Sequence, residues 1–411
     1  MARTFEGQRL TTSYVQHDRG AWECKARAIL GKRPDGRRNE PRATFRGSKA
    51  ECARLAQEWY EELLVTPEKD LLGRQEQTLK TYLETWLASK KATVKLTTWK
   101  RYDSLIRTSI EPALGSVRLC DLSKQHITTY IAQCYEESST RRKDAKVSNK
   151  TIRNRLGVLR SALARAQRDG LIASNPVDEL DRDERPKKVR PQLVVMREED
   201  AAVLLDAVEG TDIDTLVWTA LHTGARLGEL LALRWRDIDL KAGKAHIART
   251  VAEGMSSGAD WYYFTTPKSG KTRTIELDPE TVKRLKAHKA RLASDRLKVG
   301  TAWKSLDLVF PNVWQQRQVA PGTPLRPTTA TRIFRRIADG ASLEGVRFHD
   351  LRHAHATFAL RAGQNPLVVS KRLGHADVET TLSIYSHVLP GDDKDAALAV
   401  AGVIEKARAA R

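Results

Sequence analysis

The chain has no apolar run approaching the ~18 residues that a membrane-spanning helix needs. A membrane-embedded function is therefore not expected. Its opening residues, Met-Ala-Arg-Thr-Phe-Glu-Gly, lack the apolar stretch of an export signal, so a cytoplasmic, nucleoid-associated protein is expected. Cysteine is scarce: Cys24, Cys52, Cys120 and Cys134 are the only four, and none is in CxxC spacing. A disulfide framework or a zinc site is not expected, and the thiols read as core residues in a reducing compartment. No internal repeat or long low-complexity segment occurs, which sets repeat architectures aside. Acid is in short supply too: 51 Asp+Glu face 71 Lys+Arg, giving net charge +20. That balance favours a polyanionic partner, nucleic acid first.

What is present points to several domains. A chain of 411 residues can bury two or three cores. Residues 1–72 read as a small sheet-plus-helix unit. Alternating stretches at Thr12–Gln16, Trp22–Leu30 and Arg42–Phe45 are parted by turn-forming clusters. Ser48 and Glu51 then form a capping box, and the helix after it places Ala53, Ala56, Tyr60 and Leu63 on one face. Arg3, Arg9, Lys25, Arg27, Arg42 and Arg46 suit phosphate contact from this sheet.

Residues 76–184 read as helical. Leu79, Tyr82, Leu83, Trp86 and Leu87 keep helical spacing, as do Ile127, Tyr130, Ile131, Cys134 and Tyr135. Further helices are expected near Thr98–Thr108 and Ser148–Asp169. From Arg141 to Asp169 ten basic residues face only Asp144 and Asp169. Arg141, Arg142, Lys143, Lys146, Lys150, Arg153, Arg155 and Arg160 are the candidate DNA contacts, on a helix and loop suited to a groove or a phosphate track. The charged, Pro-bounded stretch 185–195 reads as a linker. From 196 to 411 helices are expected at Glu198–Val208, Asp214–His222, Leu227–Leu233, Pro279–Leu297 and Thr328–Asp339. Short strands are expected near Ala245–Val251, Trp261–Thr265 and Thr272–Leu277. The expected fold class is multidomain and mainly α: a β-sheet-plus-helix N-terminal domain, a helical domain, and a mostly α third domain with a small antiparallel sheet.

Six residues carry the chemistry: Arg226 in TGARLGEL, Lys268 in TPKSGK, His349 and Arg352 in HDLRHAHAT, His375 in LGHAD, and Tyr385 in TTLSIYSHV. Metal-free attack on a phosphodiester needs a nucleophile, cations on the non-bridging oxygens, a proton donor for the leaving oxygen and a base. A guanidinium fork holds two phosphate oxygens and keeps its charge, which suits Arg226 and Arg352. Arg226 follows a turn, so it can point outward while Leu227, Leu230, Leu231 and Leu233 pack inward, and Glu229 can brace it. His349 and Arg352, three apart, can face one phosphate. Lys268 lies between two alternating stretches, read as a hairpin with Gly270 at its tip; Lys271 is its rival. A free phenol has pKa ~10, and nearby cations would favour the phenolate of Tyr385. Asp237-Ile-Asp239 could suggest a metal pair, but the other boxes offer few carboxylates, so neither metal nor cofactor is expected.

In type, order and local strings these residues resemble the tyrosine recombinases, the phage-integrase family. The resemblance is most specific from Arg226 to Tyr385, moderate over the helical domain and modest over the first residues, which resemble an arm-type DNA-binding domain. It implies that Tyr385 attacks the phosphate to give a 3′-phosphotyrosine and a free 5′-hydroxyl. Arg226, Arg352 and His375 would hold the phosphate, His349 would assist proton transfer, and Lys268 would protonate the leaving oxygen. His353 and His355 read as structural neighbours. The resemblance also implies double-stranded attachment sites, two domains closing on a duplex, a homotetramer passing through a Holliday junction, and an excision factor and a host DNA-bending protein as accessory partners. The tail 391–411, with Leu398, Ala401 and Ile404 as an apolar stripe, would dock on a neighbouring protomer. A type IB topoisomerase and a non-catalytic DNA-binding regulator are the competing readings; the arm-like N-terminus argues against the first and the intact six-residue set against the second.

Overall fold

The computed structural model describes residues 9–16, 22–30, 40–65, 77–138, 146–188, 196–254, 261–267, 270–313, 319–375, 377–385, 405–406 and 408. Arg3, Arg141, Arg142, Lys143, Lys268, linker residues 189–195 and the tail positions Leu398, Ala401 and Ile404 lie outside them. The chain divides into two compact units, 1–191 and 192–411.

The first unit opens with three antiparallel strands, β1 (Arg9–Gln16), β2 (Trp22–Ile29) and β3 (Arg42–Gly47). Their register places Tyr14, Cys24 and Phe45 side by side. Helix α1 (Lys49–Val65) begins where the Ser48 hydroxyl accepts the Glu51 N–H, at 3.2 Å. It packs Cys52, Ala56 and Leu63 on the sheet, while Ala53 is exposed. Ala56, Tyr60 and Leu63 lie on the packed face as expected, and only Ala53 does not. A small thiol packs as readily as alanine, so Cys52 takes the role assigned to Ala53. The opposite sheet face carries exposed Lys25 and Arg46, the latter paired with the buried Glu23.

The helical part of this unit contains α2 (Leu79–Lys90), α3 (Leu96–Leu105), α4 (Glu111–Leu114), α5 (Lys124–Glu136) and α6 (Asn149–Arg168). A π-helical turn, Ile106–Ile110, joins α3 to α4, so the helix expected at Thr98–Thr108 runs further and widens. Pro112 gives the reason: it has no N–H and its ring crowds the carbonyl four residues back, and a wider turn relieves both. The core brings Leu83, Ile110, Ile127, Ile152 and Leu159 together, each fully buried. Each such side chain contributes roughly 1.5–3 kcal/mol of burial.

In the second unit, α7 (Glu198–Val208), α8 (Asp214–Thr223), α10 (Pro279–Val299) and α11 (Pro327–Gly340) follow the apolar periodicity of the sequence; α9 (Leu227–Leu230) is shorter than expected. The chain leaves α9 because its next carbonyls find tertiary partners: Ala232 accepts from Arg249 at 3.0 Å and Leu233 from the Val309 N–H at 2.9 Å. Strands β4 (Ile238–Asp239), β5 (Lys244–Ile247), β6 (Thr250–Glu253), β7 (Tyr262–Thr265) and β8 (Arg273–Glu276) are antiparallel. The stretch Ala245–Val251, expected as one strand, is split between β5 and β6. Helices α12 (Asp350–Arg361), α13 (Pro366–Leu373) and α14 (Val378–Tyr385) complete the described fold. Among the described residues no helix is long and apolar enough to cross a membrane.

Candidate active site

Helix α8 ends at Gly224, whose left-handed backbone (φ 64°) reverses the chain. A Cβ there would lie 2.6 Å from Leu373 and 2.7 Å from His355, so conformation and space both require glycine. The reversal sets Arg226 as the residue capping α9. Glu229 accepts the Arg226 backbone N–H and its guanidinium, each at 3.0 Å. Glu229 is only 1% exposed, and it does more than brace one arginine. The Arg273 guanidinium, on β8, donates to its two oxygens at 2.7 and 3.2 Å. One buried carboxylate therefore holds two arginines from elements far apart in sequence. Burial alone would raise the Glu229 pKa, but the hydrogen bonds from Arg273 outweigh it and hold it below the ordinary glutamate value.

Arg273 escapes a sequence reading because it sits in an ordinary strand pattern, with no motif around it. It also donates to the Arg372 carbonyl at 2.8 Å. Arg372 in turn reaches the carbonyls of His222 and Glu276 and the ring of His355. The His355 Nδ1–H donates to the Leu221 carbonyl at 2.8 Å, so it ties α12 to α8.

The strands that flank Lys268 do not pair with each other. β7 pairs with β6 and β8 with β5, so β5–β6 and β7–β8 are the two limbs of one long hairpin. Lys268 thus falls between β7 and β8, opposite the break at 248–249, and not between two strands paired with each other as alternation suggested. A lone alternation cannot tell a turn between partners from a break within one strand.

Helix α12 carries the densest chemistry. His349 caps it and is exposed; Arg352, one turn on, is only 4% exposed. The Arg352 Nη1 donates to the Gly224 carbonyl at 2.8 Å. Its Nη2 is buried with no partner among the described residues. An uncommitted buried donor on a cation is costly unless an anion completes it. Burial and then Arg226 disfavour its charge, pushing Arg352 down to about 9, still cationic at neutral pH. His353 stacks edge-on to His349, with ring centres 5.1 Å apart, and its Nδ1 lies 2.6 Å from the Tyr385 hydroxyl.

At the end of α13, Gly374 adopts φ 69° and lies so close to the Arg273 guanidinium that a Cβ would come within 2.8 Å of it. The turn delivers His375, whose Nδ1 is 2.7 Å from the hydroxyl of the fully buried Thr381. Tyr385 closes α14 and is 2% exposed, packed with Ala356, Leu360, Val369 and Leu373.

The electrostatics of this cluster depart from expectation. Burial, opposed only by Arg352, pushes the Tyr385 phenol up to about 12. Arg352 favours the phenolate, but the loss of hydration outweighs it. His349 and His375 are both pushed down to about 4, by lost hydration first, then chiefly by His353 on His349 and by Arg352 and Arg226 on His375. Both are neutral at pH 7. Five of the six expected residues thus share one neighbourhood, and Lys268 lies outside the described residues. Asp237 pairs with Arg234 at 2.9 Å, and Asp239 accepts the Lys241 and Ala242 N–H groups.

In the first unit, α6 buries one face and exposes Lys150, Arg153 and Arg160 on the other. Arg160 pairs with Asp178, Arg153 donates to the Pro186 carbonyl at 3.1 Å, and Lys146 pairs with Glu136 at 2.9 Å. Arg155 differs from the surface contact expected of it. It is 9% exposed, and its guanidinium is held by Glu137 at 2.7 Å and the Cys134 sulfur at 3.1 Å. Its position on the apolar face of α6 turns it inward, which charge counting could not reveal.

The chain belongs to the phage integrase family, the tyrosine recombinases, which are DNA-cleaving and rejoining enzymes: the model described as "Phage integrase family" matches residues 194–391, and "Phage integrase, N-terminal SAM-like domain" matches 78–134. Among its relatives is a "Tyrosine recombinase XerC-like" protein of Caldanaerobacter subterraneus subsp. tengcongensis. The two are 25% identical over 327 residues, covering 77% of this chain and 81% of that one. The Tn1549 transposon integrase in complex with a circular intermediate DNA has a similar fold, with TM-score 0.63 and 19% identity, covering 79% of this chain and 99% of that one. A lambda integrase tetramer bound to a Holliday junction gives TM-score 0.56 and 16% identity over 92% and 96% of the two chains.

Proposed function

We propose that this protein is a site-specific integrase that inserts and excises a phage or mobile element in a bacterial chromosome, with Tyr385 as its nucleophile. The observation that carries the reading is the buried Tyr385 beside Arg352, whose Nη2 is buried with no hydrogen-bond partner among the described residues. Arg226 and Arg273 are held by Glu229 in the same cluster. A phosphodiester would complete the donor set, replace lost hydration and bring phosphorus to the phenol.

In this reading Arg226, Arg352 and His375 hold the non-bridging oxygens, His349 assists proton transfer, and Lys268 protonates the departing 5′ oxygen. The product is a 3′-phosphotyrosine, and the stored bond energy makes ATP unnecessary. No metal or cofactor takes part. Residues 1–72 serve as the arm-type domain, 76–184 as the core-binding domain, 185–195 as linker, and 196–411 as the catalytic domain with its 391–411 tail. Lys146, Lys150, Arg153 and Arg160, with Arg141, Arg142 and Lys143, contact the attachment site. Four protomers act on two duplexes; the fold shared with the lambda integrase seen as a tetramer on a Holliday junction supports this. An excision factor and a host bending protein set direction, and the reaction takes place at the nucleoid in the cytoplasm.

The test is a covalent trap: protein with EDTA on a nicked duplex carrying its flanking attachment sequence, resolved on a denaturing gel. A DNA adduct that disappears in Tyr385→Phe is expected. Tight binding with no adduct, even with host extract added, would sink the proposal.

A further inference from the structure

Resting on that reading of Tyr385, we infer that His353 is the base that takes the nucleophile's proton. The phenol is the stronger acid of the pair, so its O–H donates to the His353 Nδ1, 2.6 Å away. Among the described residues around Tyr385, the other bases are engaged elsewhere or lie further away. Glu229 is spent on Arg226 and Arg273. Asp350, 1% exposed, accepts the backbone and guanidinium of Arg347 at 2.8 and 2.7 Å. His375 is engaged with Thr381. His349 meets the ring of His353, placing it second in the row from the phenol.

The groups around His353 keep it a neutral acceptor. Lost hydration comes first; Asp350 opposes it, and Arg347 and Arg352 reinforce it, so its pKa lies below the ordinary histidine value. A base must hold no proton before the reaction and must accept one during it. Phosphate binding supplies the change, because an anion on Arg352 cancels the charge that disfavours an imidazolium next to it.

The step balances within the protein. As the Tyr385 oxygen forms its bond to phosphorus, the O–H bond breaks and its proton passes to the His353 Nδ1. The bond from phosphorus to the 5′ oxygen breaks, and that oxygen takes a proton from Lys268. The intermediate therefore holds an imidazolium and a neutral amine. When a 5′-hydroxyl attacks the phosphotyrosine, Lys268 takes its proton and His353 returns one to the departing phenolate. No oxidant, reductant or external acid enters.

The experiment is single-turnover adduct formation on the nicked duplex at pH 7, comparing wild type, His353→Asn, His353→Ala, Lys268→Ala and Tyr385→Phe. An asparagine oxygen can sit where Nδ1 sits and accept the phenol's hydrogen bond, but it cannot take the proton. Both His353 variants should bind the duplex as wild type does and form adduct about 10²–10⁴-fold more slowly, the usual contribution of a general base. Added imidazole should restore part of the His353→Ala rate, an effect that lost packing would not show. A duplex with sulfur in place of the scissile 5′ oxygen has a leaving group that needs no proton. It should rescue Lys268→Ala and leave His353→Asn slow. A Tyr385-dependent adduct formed at the wild-type rate by His353→Asn overturns this inference and leaves the proposed function standing. So does rescue of His353→Asn by the sulfur duplex. An adduct in Tyr385→Phe overturns both.

Discussion

Replacing Glu229 by glutamine tests whether the arginine cluster needs its buried carboxylate. The glutamine has nearly the same volume, so packing is kept. What changes is charge and hydrogen-bonding sense. Glu229 accepts four hydrogen bonds: the Arg226 backbone and guanidinium, and two from Arg273. A glutamine accepts through one oxygen only and points an NH2 at donors that cannot accept from it. Arg273, with a side chain 8% exposed, would be left as a buried cation without a counter-ion. Breaking such a pair from one side costs 3–5 kcal/mol, and the retained carbonyl argues for about 3. For a unit the size of 192–411, about 3 kcal/mol lowers Tm by roughly 6–12 °C.

The assay is thermal unfolding of the full chain with and without a saturating duplex, followed by adduct formation. Glu229→Gln should melt lower by that margin alone. Duplex should raise its Tm more than that of wild type, because a phosphate can stand in for part of the lost charge. Adduct formation should slow by about 10²-fold, since Arg226 loses the anchor that aims it. A melting point within about 2 °C of wild type together with normal cleavage would refute the view that one carboxylate organises the cations.

Acidification should also weaken the fold. His349, His355 and His375 are pushed from 6.5 to about 4 in the folded chain, so the unfolded chain binds more protons between those values. Their contribution is complete above about 6.5 and is lost as pH falls toward 4. Glu229, held below its ordinary value, adds a further loss at still lower pH. Urea midpoints at pH 7, 6 and 5 should decline in that order; a flat series would contradict the lowered pKa of these histidines. On α6, exposed and buried basic residues should separate cleanly. Lys150→Ala and Arg153→Ala should each flatten the salt dependence of duplex binding by about 0.9 in logarithmic slope, one phosphate apiece. Arg155→Met should leave that slope alone and lower the urea midpoint; the reverse pattern in a titration from 50 to 200 mM salt would return Arg155 to the surface list.

Much of this fold was legible in the sequence because burial and local period coincide. Leu79, Tyr82, Leu83, Trp86 and Leu87 are all buried in α2, as their spacing requires. Failures came where a distant partner decides. Arg155 has the composition of a DNA contact and the helical phase of a core residue, and phase wins. The short α9 yields to carbonyl partners supplied by Arg249 and Val309, far along the chain. Alternation read β7 and β8 as partners across a turn, but β7 pairs with β6 and β8 with β5, a choice made by residues elsewhere in the chain.

The catalytic strings were legible as residue types but not as a charge state. Counting cations around Tyr385 suggests a phenolate, yet the phenol is held up at about 12, and His353, bonded to it, is held below the ordinary histidine value. Both shifts have one cause. Packing these groups removes water that would stabilise either charge, and no string of letters reports how much water is lost. In the proposed function a scissile phosphate would supply what the packing removes. It would give the Arg352 Nη2 an acceptor, let imidazolium form beside it, and bring an electrophile to a phenol bonded to His353. If Tyr385 is the nucleophile proposed above, the burial that hides it also keeps it protonated until its substrate arrives, and so keeps it from attacking other electrophiles.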